Sequence, residues 1–580
     1  MFWKSLLATL CGLFIFSVLI FVFLAALFGS EPEVKIAKNS VLYLKLDLPI
    51  IERSNEMPVL PIGLLPGDDK IGHGLKELKE AIKLAKEDDK IQGIVIEPNF
   101  MYSGWATLKD LREALADFKS SEKFILSYSE YYTESEYYLA SVADSIYLPP
   151  EGIIEFNGFT AEQIFIKGTL EKLKVEPQVF KVGEFKSAVE PFVRESMSDA
   201  SREQTRSFLG SMYETYLNDV SSSRSVSLAD LSDIADSMWV RDAATALEHK
   251  LITDTAYYDQ MRDGLMEKLE LESKEDIKLV SFKKYNKATT SNRSSRNRIA
   301  VIIADGEIVN GKGDASSIGS ESLVKQLRKV REDDKVKAIV LRVNSPGGSA
   351  LASDVIWREV TITAKEKPVI ASMSDLAASG GYYIAMGCDT IVAAPNTITG
   401  SIGIFAIYFN VQGLLNEHLG VTTDTVNTGP LANIFSFAKP MSEIEAKIFQ
   451  QSIEDGYHTF VEKVAQSREL SYEEVDAVAS GRVWSGKEAI GHKLVDVLGT
   501  LDDAIAIAAE AAGLEVDDYR IRYYPQKTQW QQLISQLTSD YEEEKIKEHL
   551  GQLYFPVQQI RRLEKYQEPQ TRLPFDLVIH

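Results

Sequence analysis

The sequence predicts an α/β protein of two related modules with parallel sheets, preceded by one membrane-spanning helix. Three observations predict it. A block of residues recurs at a fixed spacing, short β-rich runs alternate with helical stretches in each copy, and the N-terminus carries a long uncharged apolar run.

The N-terminal run comes first in chain order. No charged residue occurs between Ser5 and Ser30. As a helix this stretch is about 39 Å long, enough to cross a hydrocarbon core of about 30 Å with some tilt. Lys4 precedes it and Glu31 and Glu33 follow it. Positive charge stays inside, so the N-terminus is expected in the cytoplasm and the bulk of the chain outside it. A cleaved signal peptide would have a shorter apolar region.

The repeat comes next. Residues 86–99 read Lys-Glu-Asp-Asp-Lys-Ile-Gln-Gly-Ile-Val-Ile-Glu-Pro-Asn, and residues 331–344 read Arg-Glu-Asp-Asp-Lys-Val-Lys-Ala-Ile-Val-Leu-Arg-Val-Asn, an offset of 245. The same offset pairs Tyr137-Tyr138 with Tyr382-Tyr383, Asp144 with Asp389, Pro150 with Pro395, Gly158 with Gly403 and Trp239 with Trp484. A register held over that length indicates duplication.

Within the first copy the expected elements are a strand at 93–96, a helix at 107–118, a strand at 124–127, a helix at 135–142 and a strand at 145–148. In the second copy they are a strand at 338–343, a helix at 352–365, a strand at 368–372, a helix at 380–386 and a strand at 390–393. Strand–helix–strand alternation implies parallel sheets with right-handed crossovers. The polar stretch 286–298 lacks an apolar period and leads into Ile299-Ala300-Val301-Ile302-Ile303, so it is expected to be a linker. The expected division is an anchor over 1–30, a first module over 40–285, the linker over 286–298, a second module over 299–512 and a tail over 513–580 with no assigned chemistry.

Composition narrows the function. The net charge is −22, which opposes nucleic-acid binding and docking on anionic lipid by charge alone. The two cysteines, Cys11 and Cys388, are too far apart in sequence and setting to suggest a disulfide framework. No pair among the seven histidines has zinc-ligand spacing. Neither a metal site nor a cofactor is expected.

The copies differ where chemistry is expected. The second carries Asn344-Ser345-Pro346-Gly347-Gly348-Ser349 directly after a strand, and paired glycines there leave N–H groups open to a ligand. It also carries Ala377-Ala378-Ser379-Gly380-Gly381-Tyr382, a small-residue turn opening a helix, where N–H groups favour a developing oxyanion. In the first copy Ser379 maps to Glu134, Gly380 to Ser135, and Gly347 and Gly348 to Tyr102 and Ser103. The first copy instead has Lys181-Val182-Gly183-Glu184-Phe185-Lys186-Ser187-Ala188-Val189-Glu190-Pro191. With one gap Gly183 aligns with Gly429, and Lys186 with Ala432.

One copy thus holds a serine without the lysine, the other a lysine without the serine. A composite site shared across the duplication follows as an expectation. A serine hydroxyl needs a base, and a neutral lysine amine can serve. Its pKa must fall from about 10.4 to near 7–8, a shift of roughly 3–5 kcal/mol that burial supplies.

These residues resemble the signal peptide peptidase A (bacterial protease IV) family, peptidase family S49, in its long two-module form. The resemblance spans about residues 40–510 and the N-terminal anchor. It rests on Gly183 to Pro191, Arg342 to Ser349, Ala377 to Tyr382, and Thr399-Gly400-Ser401-Ile402-Gly403-Ile404-Phe405. It implies two crotonase/Clp-protease-like modules and a membrane-anchored serine endopeptidase that degrades cleaved signal peptides.

By position the resemblance makes Ser379 the nucleophile and Lys186 the general base. Gly380 and either Gly347 or Gly348, with Gly348 favoured, become oxyanion donors, and Ser401 orients the lysine. It implies signal peptide fragments and other short apolar peptides as partners, a homotetramer, and catalytic modules on the extracytoplasmic side of the inner membrane. Asp375 departs from the pattern, which has a small or apolar residue there. Two rivals are an acyl-CoA enzyme of the crotonase fold, which would not need a serine–lysine split, and a degenerate membrane-anchored scaffold, for which Ser379 would be dispensable.

Overall fold

The computed structural model describes residues 35–53, 72–289, 295–314, 316–516, 518–525 and 569–572, and before residue 35 only 5, 6, 9 and 12–16. The expected anchor over 1–30 therefore lies mostly outside the described residues. Among those described, no helix is long and apolar enough to cross a membrane.

Each module is built on a parallel sheet. In the second, the Val336–Ser345 strand runs between Asn297–Asp305 and Val369–Ala378, parallel to both. Its Ala-Ile-Val-Leu-Arg-Val stretch is buried throughout, as expected for a parallel strand covered on both faces. Thr390–Ala393 and Ile398–Gly400 extend the sheet beside Val369–Ala378, and Val497–Leu498 follows Thr390–Ala393. In the first module the order is Asp254–Thr255, Ser145–Leu148, Phe124–Tyr128, Ile91–Pro98, Ser40–Leu46 and Lys278–Ser281, all parallel.

The duplication reaches further than the motif alignment suggests. On the far side of Asn297–Asp305 lies Tyr519–Tyr524, again parallel. Its counterpart is Lys278–Ser281, which pairs parallel with Ser40–Leu46 on the same side of the first sheet. The second module therefore continues past 512, and the expected tail boundary at 513 falls inside it. The linker is also narrower than 286–298. Residues 286–289 close the Phe282–Thr289 helix, and 297 and 298 open the Asn297–Asp305 strand.

The modules interlock. Glu176–Lys181 from the first pairs antiparallel with Phe405–Asn410 from the second, in register from Phe405 with Lys181 to Asn410 with Glu176. Phe180 joins the second module's apolar core, while Ala378, Ile398 and Val483 join the first module's.

A polar joint lies beneath the strand that leads to Ser379. Arg342 is buried and donates through Nε to Glu52, 3.0 Å away, and through its other nitrogens to Ser372 Oγ, Met373 O and Ser374 Oγ. Ser374 Oγ also donates to Glu52. Asp375 reaches the first module, where it accepts from the Thr107 N–H at 2.8 Å and from the Thr107 hydroxyl. Thr107 is the third residue of the Trp105–Lys119 helix, whose N-cap Gly104 offers no side chain. Asp375 supplies the missing cap from the other module. A methyl on Gly104 would lie 2.0 Å from the Asp375 Cγ, so only glycine leaves room for it. The unexpected acid at 375 is thus a joint between modules.

This geometry orders two substitutions. Asp375→Ala leaves the Thr107 N–H without its acceptor and should lower stability by about 1–3 kcal/mol. Asp375→Asn keeps an amide oxygen and should lose less. Denaturant unfolding of the two variants checks the order, and an equal loss would refute the cap.

Candidate active site

Ser379 sits where the Val369–Ala378 strand gives way to the Gly380–Ala385 helix. Its backbone lies at φ 54°, ψ −110°, outside the regions a serine ordinarily occupies. Such a conformation costs on the order of 1–3 kcal/mol and persists only where surroundings impose it. Here the Ser379 N–H donates to Gly400 O at 2.8 Å, and Tyr383 N–H donates to Ser379 O at 2.8 Å. Gly381 packs against the Val336–Ser345 strand so tightly that a methyl there would be 2.6 Å from Ser345 O.

Lys186 arrives from the first module. The Glu176–Lys181 strand pairs across the module boundary and turns at Gly183, which has φ +88°. A methyl on Gly183 would be 2.3 Å from Ser480 O. Two further glycines line the lysine stem. A methyl on Gly481 would lie 2.6 Å from Lys186 Cβ, and one on Gly403 would lie 3.3 Å from its Cδ.

The two halves meet. Lys186 Nζ is 2.9 Å from Ser379 Oγ, 2.9 Å from Ser401 Oγ and 3.1 Å from Ser401 O. Lys186, Ser379 and Ser401 have no exposed surface. Burial holds the Lys186 amine well below the ordinary lysine range. A neutral amine has two N–H donors and one lone pair, which matches these three contacts. It accepts from the Ser379 hydroxyl and donates to the Ser401 carbonyl and hydroxyl oxygens. Ser401 is itself held at φ 50°, its N–H donating to Arg482 O at 2.7 Å.

The paired glycines are also at hand. Gly347 and Gly348 have φ of 99° and 153°. A methyl on Gly347 would lie 2.7 Å from the Gly380 nitrogen, so the two backbones nearly touch. The Gly347 N–H already donates to Ser345 Oγ at 3.2 Å. All six residues expected from the sequence therefore fall in one place.

Gln204 was not expected there. It lies in the long Asp199–Arg224 helix of the first module. Its amide nitrogen donates to Phe185 O and Ser187 Oγ, both at 3.0 Å, and its oxygen accepts from the Val483 N–H at 3.1 Å. One buried side chain thus ties both neighbours of Lys186 to the second module. A glutamine within a helix carries no distinguishing sequence signal.

The matching position in the first module is closed to this chemistry. Glu134 fills the place of Ser379 and accepts from the N–H groups of Asn157 and Gly158 at 2.9 and 2.7 Å. Burial pushes its carboxyl up to about 7 despite those bonds. Ala432, aligned with Lys186 by sequence, is exposed in a turn.

Comparison with known proteins gives the family. The Peptidase family S49 model matches residues 117–272 and 361–515, and the Clp protease model matches 292–399. Protease 4 of Salmonella typhi is 39% identical over 462 residues, covering 78% of this chain and 74% of its own. Protease 4 of Haemophilus influenzae is 34% identical over 516 residues, covering 84% and 82%. The chloroplastic serine protease SPPA of Arabidopsis thaliana is 36% identical over 454 residues, covering 77% and 67%. One S49 match contains Lys186 and the other Ser379 and Ser401, and with these relatives the chain belongs to peptidase family S49, as a peptidase of two tandem S49 modules on a Clp-protease-like α/β fold.

Proposed function

We propose that this peptidase is a membrane-anchored serine endopeptidase that degrades cleaved signal peptides through a Ser379–Lys186 dyad. The carrying observation is the 2.9 Å contact between the Lys186 amine and the Ser379 hydroxyl in a site without water-exposed surface. Lys186, neutral, takes the Ser379 proton as Oγ attacks the scissile carbonyl. It then gives that proton to the leaving amine, and water hydrolyses the resulting ester. Ser401 keeps the amine lone pair on Ser379 by accepting its two N–H groups. Gly380 and Gly348 supply N–H groups to the oxyanion. Gly348 is preferred over Gly347 because the Gly347 N–H is already engaged by Ser345.

The apolar N-terminal run supports placement in the inner membrane, N-terminus in, with the modules on the extracytoplasmic side. That location brings the site to signal peptide fragments and other short apolar peptides. A homotetramer is part of the same reading. Exposed Val426, Phe435, Phe437 and Ile444, gathered on the segment after Asn410, support contact with further copies.

Cleavage of a short apolar fluorogenic peptide by detergent-solubilised protein tests the dyad. Ser379→Ala and Lys186→Ala should each lower kcat by about 10²–10⁴-fold. Activity surviving Lys186→Ala would place the base elsewhere. Wild-type activity should rise with pH as the amine loses its proton, with a midpoint below the ordinary lysine range.

Burial of the same amine has a consequence for stability. The unfolded chain holds the Lys186 proton up to about pH 10, the folded chain releases it earlier, and between these values stability rises with pH. Lys186→Met removes the penalty. Its melting temperature should exceed that of wild type, with the gap widening toward acid and closing toward alkaline pH. A gap independent of pH would refute the neutral buried amine.

A further inference from the structure

We propose that the first module keeps a second binding pocket, at the position matching Ser379, which takes the ammonium side chain of a lysine in the peptide being degraded. The proposal deepens the endopeptidase reading and rests on it.

A cavity of about 120 Å³ opens where the first module's copy of the nucleophile turn lies. Its walls are residues 100–103, Trp105, residues 133–136 and Glu155. By the 245 spacing, residues 100–103 match Ser345 to Gly348, and Glu134 matches Ser379. This copy of the site has lost its nucleophile and kept a hollow.

Three carboxylates line the hollow, and they are not equivalent. Glu136 has both oxygens engaged, by the Met101 N–H at 3.1 Å and the Thr133 N–H at 2.9 Å. Glu134 is only 5% exposed, and one of its oxygens takes the bonds from both Asn157 and Gly158. Its other oxygen makes no hydrogen bond among the described residues and is not sealed in the interior, so it looks into the cavity. Glu155 accepts from the Tyr131 hydroxyl through one oxygen and leaves the other without a donor among the described residues. The Ser103 hydroxyl, on the same wall, is buried with no partner among them.

Aromatic rings complete the pocket. Phe100 and Tyr102 are exposed at its mouth, and Phe100 stacks on Tyr131 with ring centres 5.7 Å apart. Phe100 is held at φ 48°, an unusual backbone for a bulky residue, beside the Met101 N–H that Glu136 pins. The buried Trp105 forms another wall. Carboxylate oxygens without donors repel anions and gain from a cation, and ring faces attract an organic cation within about 6 Å. A lysine side chain meets both demands. Its apolar stem suits the rings, and its three N–H donors suit Glu134, Glu155 and the Ser103 hydroxyl.

The location serves a peptide that also reaches Ser379. Gly104, between Ser103 and Trp105, abuts Asp375 in the strand that leads to the nucleophile. Asp375 precedes Ser379 by four residues, about 13 Å of extended strand. A signal peptide carries positive charge at one end of its apolar region. One fragment thus offers an apolar stretch to the dyad and an ammonium group to this pocket.

Fluorescence anisotropy tests this with two labelled, end-blocked apolar hexapeptides that differ only in the first residue, lysine against norleucine. Each is titrated into full-length detergent-solubilised Ser379→Ala, and wild type is assayed alongside for cleavage of the norleucine peptide. At pH 8 the lysine peptide should bind about 5–10-fold more tightly. The preference should fall as pH drops through about 7, where burial has placed the Glu134 carboxyl, because a protonated carboxyl no longer attracts the ammonium. The other acids facing Glu134 are Glu155 and Glu136. Tyr213 and Tyr216, which face it from the Asp199–Arg224 helix, are held above the ordinary tyrosine range by burial and stay neutral there.

Adding Glu134→Gln, whose amide oxygen still accepts from Asn157 and Gly158, should bring the two peptides near parity, and adding Glu155→Gln should narrow the gap. Equal binding of the two peptides, or none, together with cleavage by wild type would overturn the pocket and leave the dyad intact. A lysine preference untouched by both substitutions would place the cation elsewhere. No binding and no cleavage by folded protein would overturn both readings.

Discussion

A lysine amine without a carboxylate partner is kept fully out of water, and much of the structure serves that one constraint. An ammonium ion in such a place would forfeit its hydration without repayment, so burial favours the neutral amine. Neutral, it has two hydrogens and one lone pair, and the site offers matching groups. Ser401 presents two acceptor oxygens and Ser379 a hydroxyl. The strained backbones of Ser379 and Ser401 and the bare surfaces of Gly403 and Gly481 follow from fitting that stem and head into a closed space. Strain is tolerated here because interlocked cores on both sides hold the backbone in place.

The constraint also explains why the duplicated modules cannot be separated. Lys186 reaches the site on an arm that pairs with a strand of the other module, and Gln204 fixes both its flanks to that module. From the opposite side, Asp375 caps a first-module helix and Glu52 meets Arg342 within the strand system that carries Ser379. Removing one partner of a buried ion pair typically costs about 3–5 kcal/mol, because the other charge is stranded. The joint therefore gives little net stability but strongly disfavours other relative positions of the modules. With lysine and serine on different copies, relative position is what the chemistry requires. The unused position in the first copy could then diverge, and there a protonatable Glu134 bonds to two backbone N–H groups.

The parallel sheets were legible because their strands are continuous apolar runs and occur twice. Thr390–Ala393 and Ser145–Leu148 coincide with their expected spans, the other boundaries shift by one or two residues, and Val369–Ala378 alone runs six residues past its expected end at 372. The site residues were legible through asymmetry between copies, which does not depend on shape. What escaped notice depends on pairing across long sequence separations. Glu176–Lys181 contains a proline and shows no alternation, so nothing local marks it as half of an antiparallel pair. Tyr519–Tyr524 was hidden by treating the tail as unrelated, although its Tyr-Arg-Ile-Arg alternation points to a strand. Gln204 and Asp375 are polar residues whose partners lie in the other module, and their meaning exists only once the modules have met.

The paired glycines and the lysine-bearing arm are held in one further sheet. Gln570–Arg572 lies between Gly347–Ser349 and Phe405–Asn410 and pairs antiparallel with both. Buried backbone groups need partners, and an extended segment in that position supplies them through its main chain, with little call on its side chains. Backbone pairing of this kind tolerates many sequences. Discrimination is then left to the few places where a side chain must enter a wall, and beside Ser353 and Gly348 the room is small.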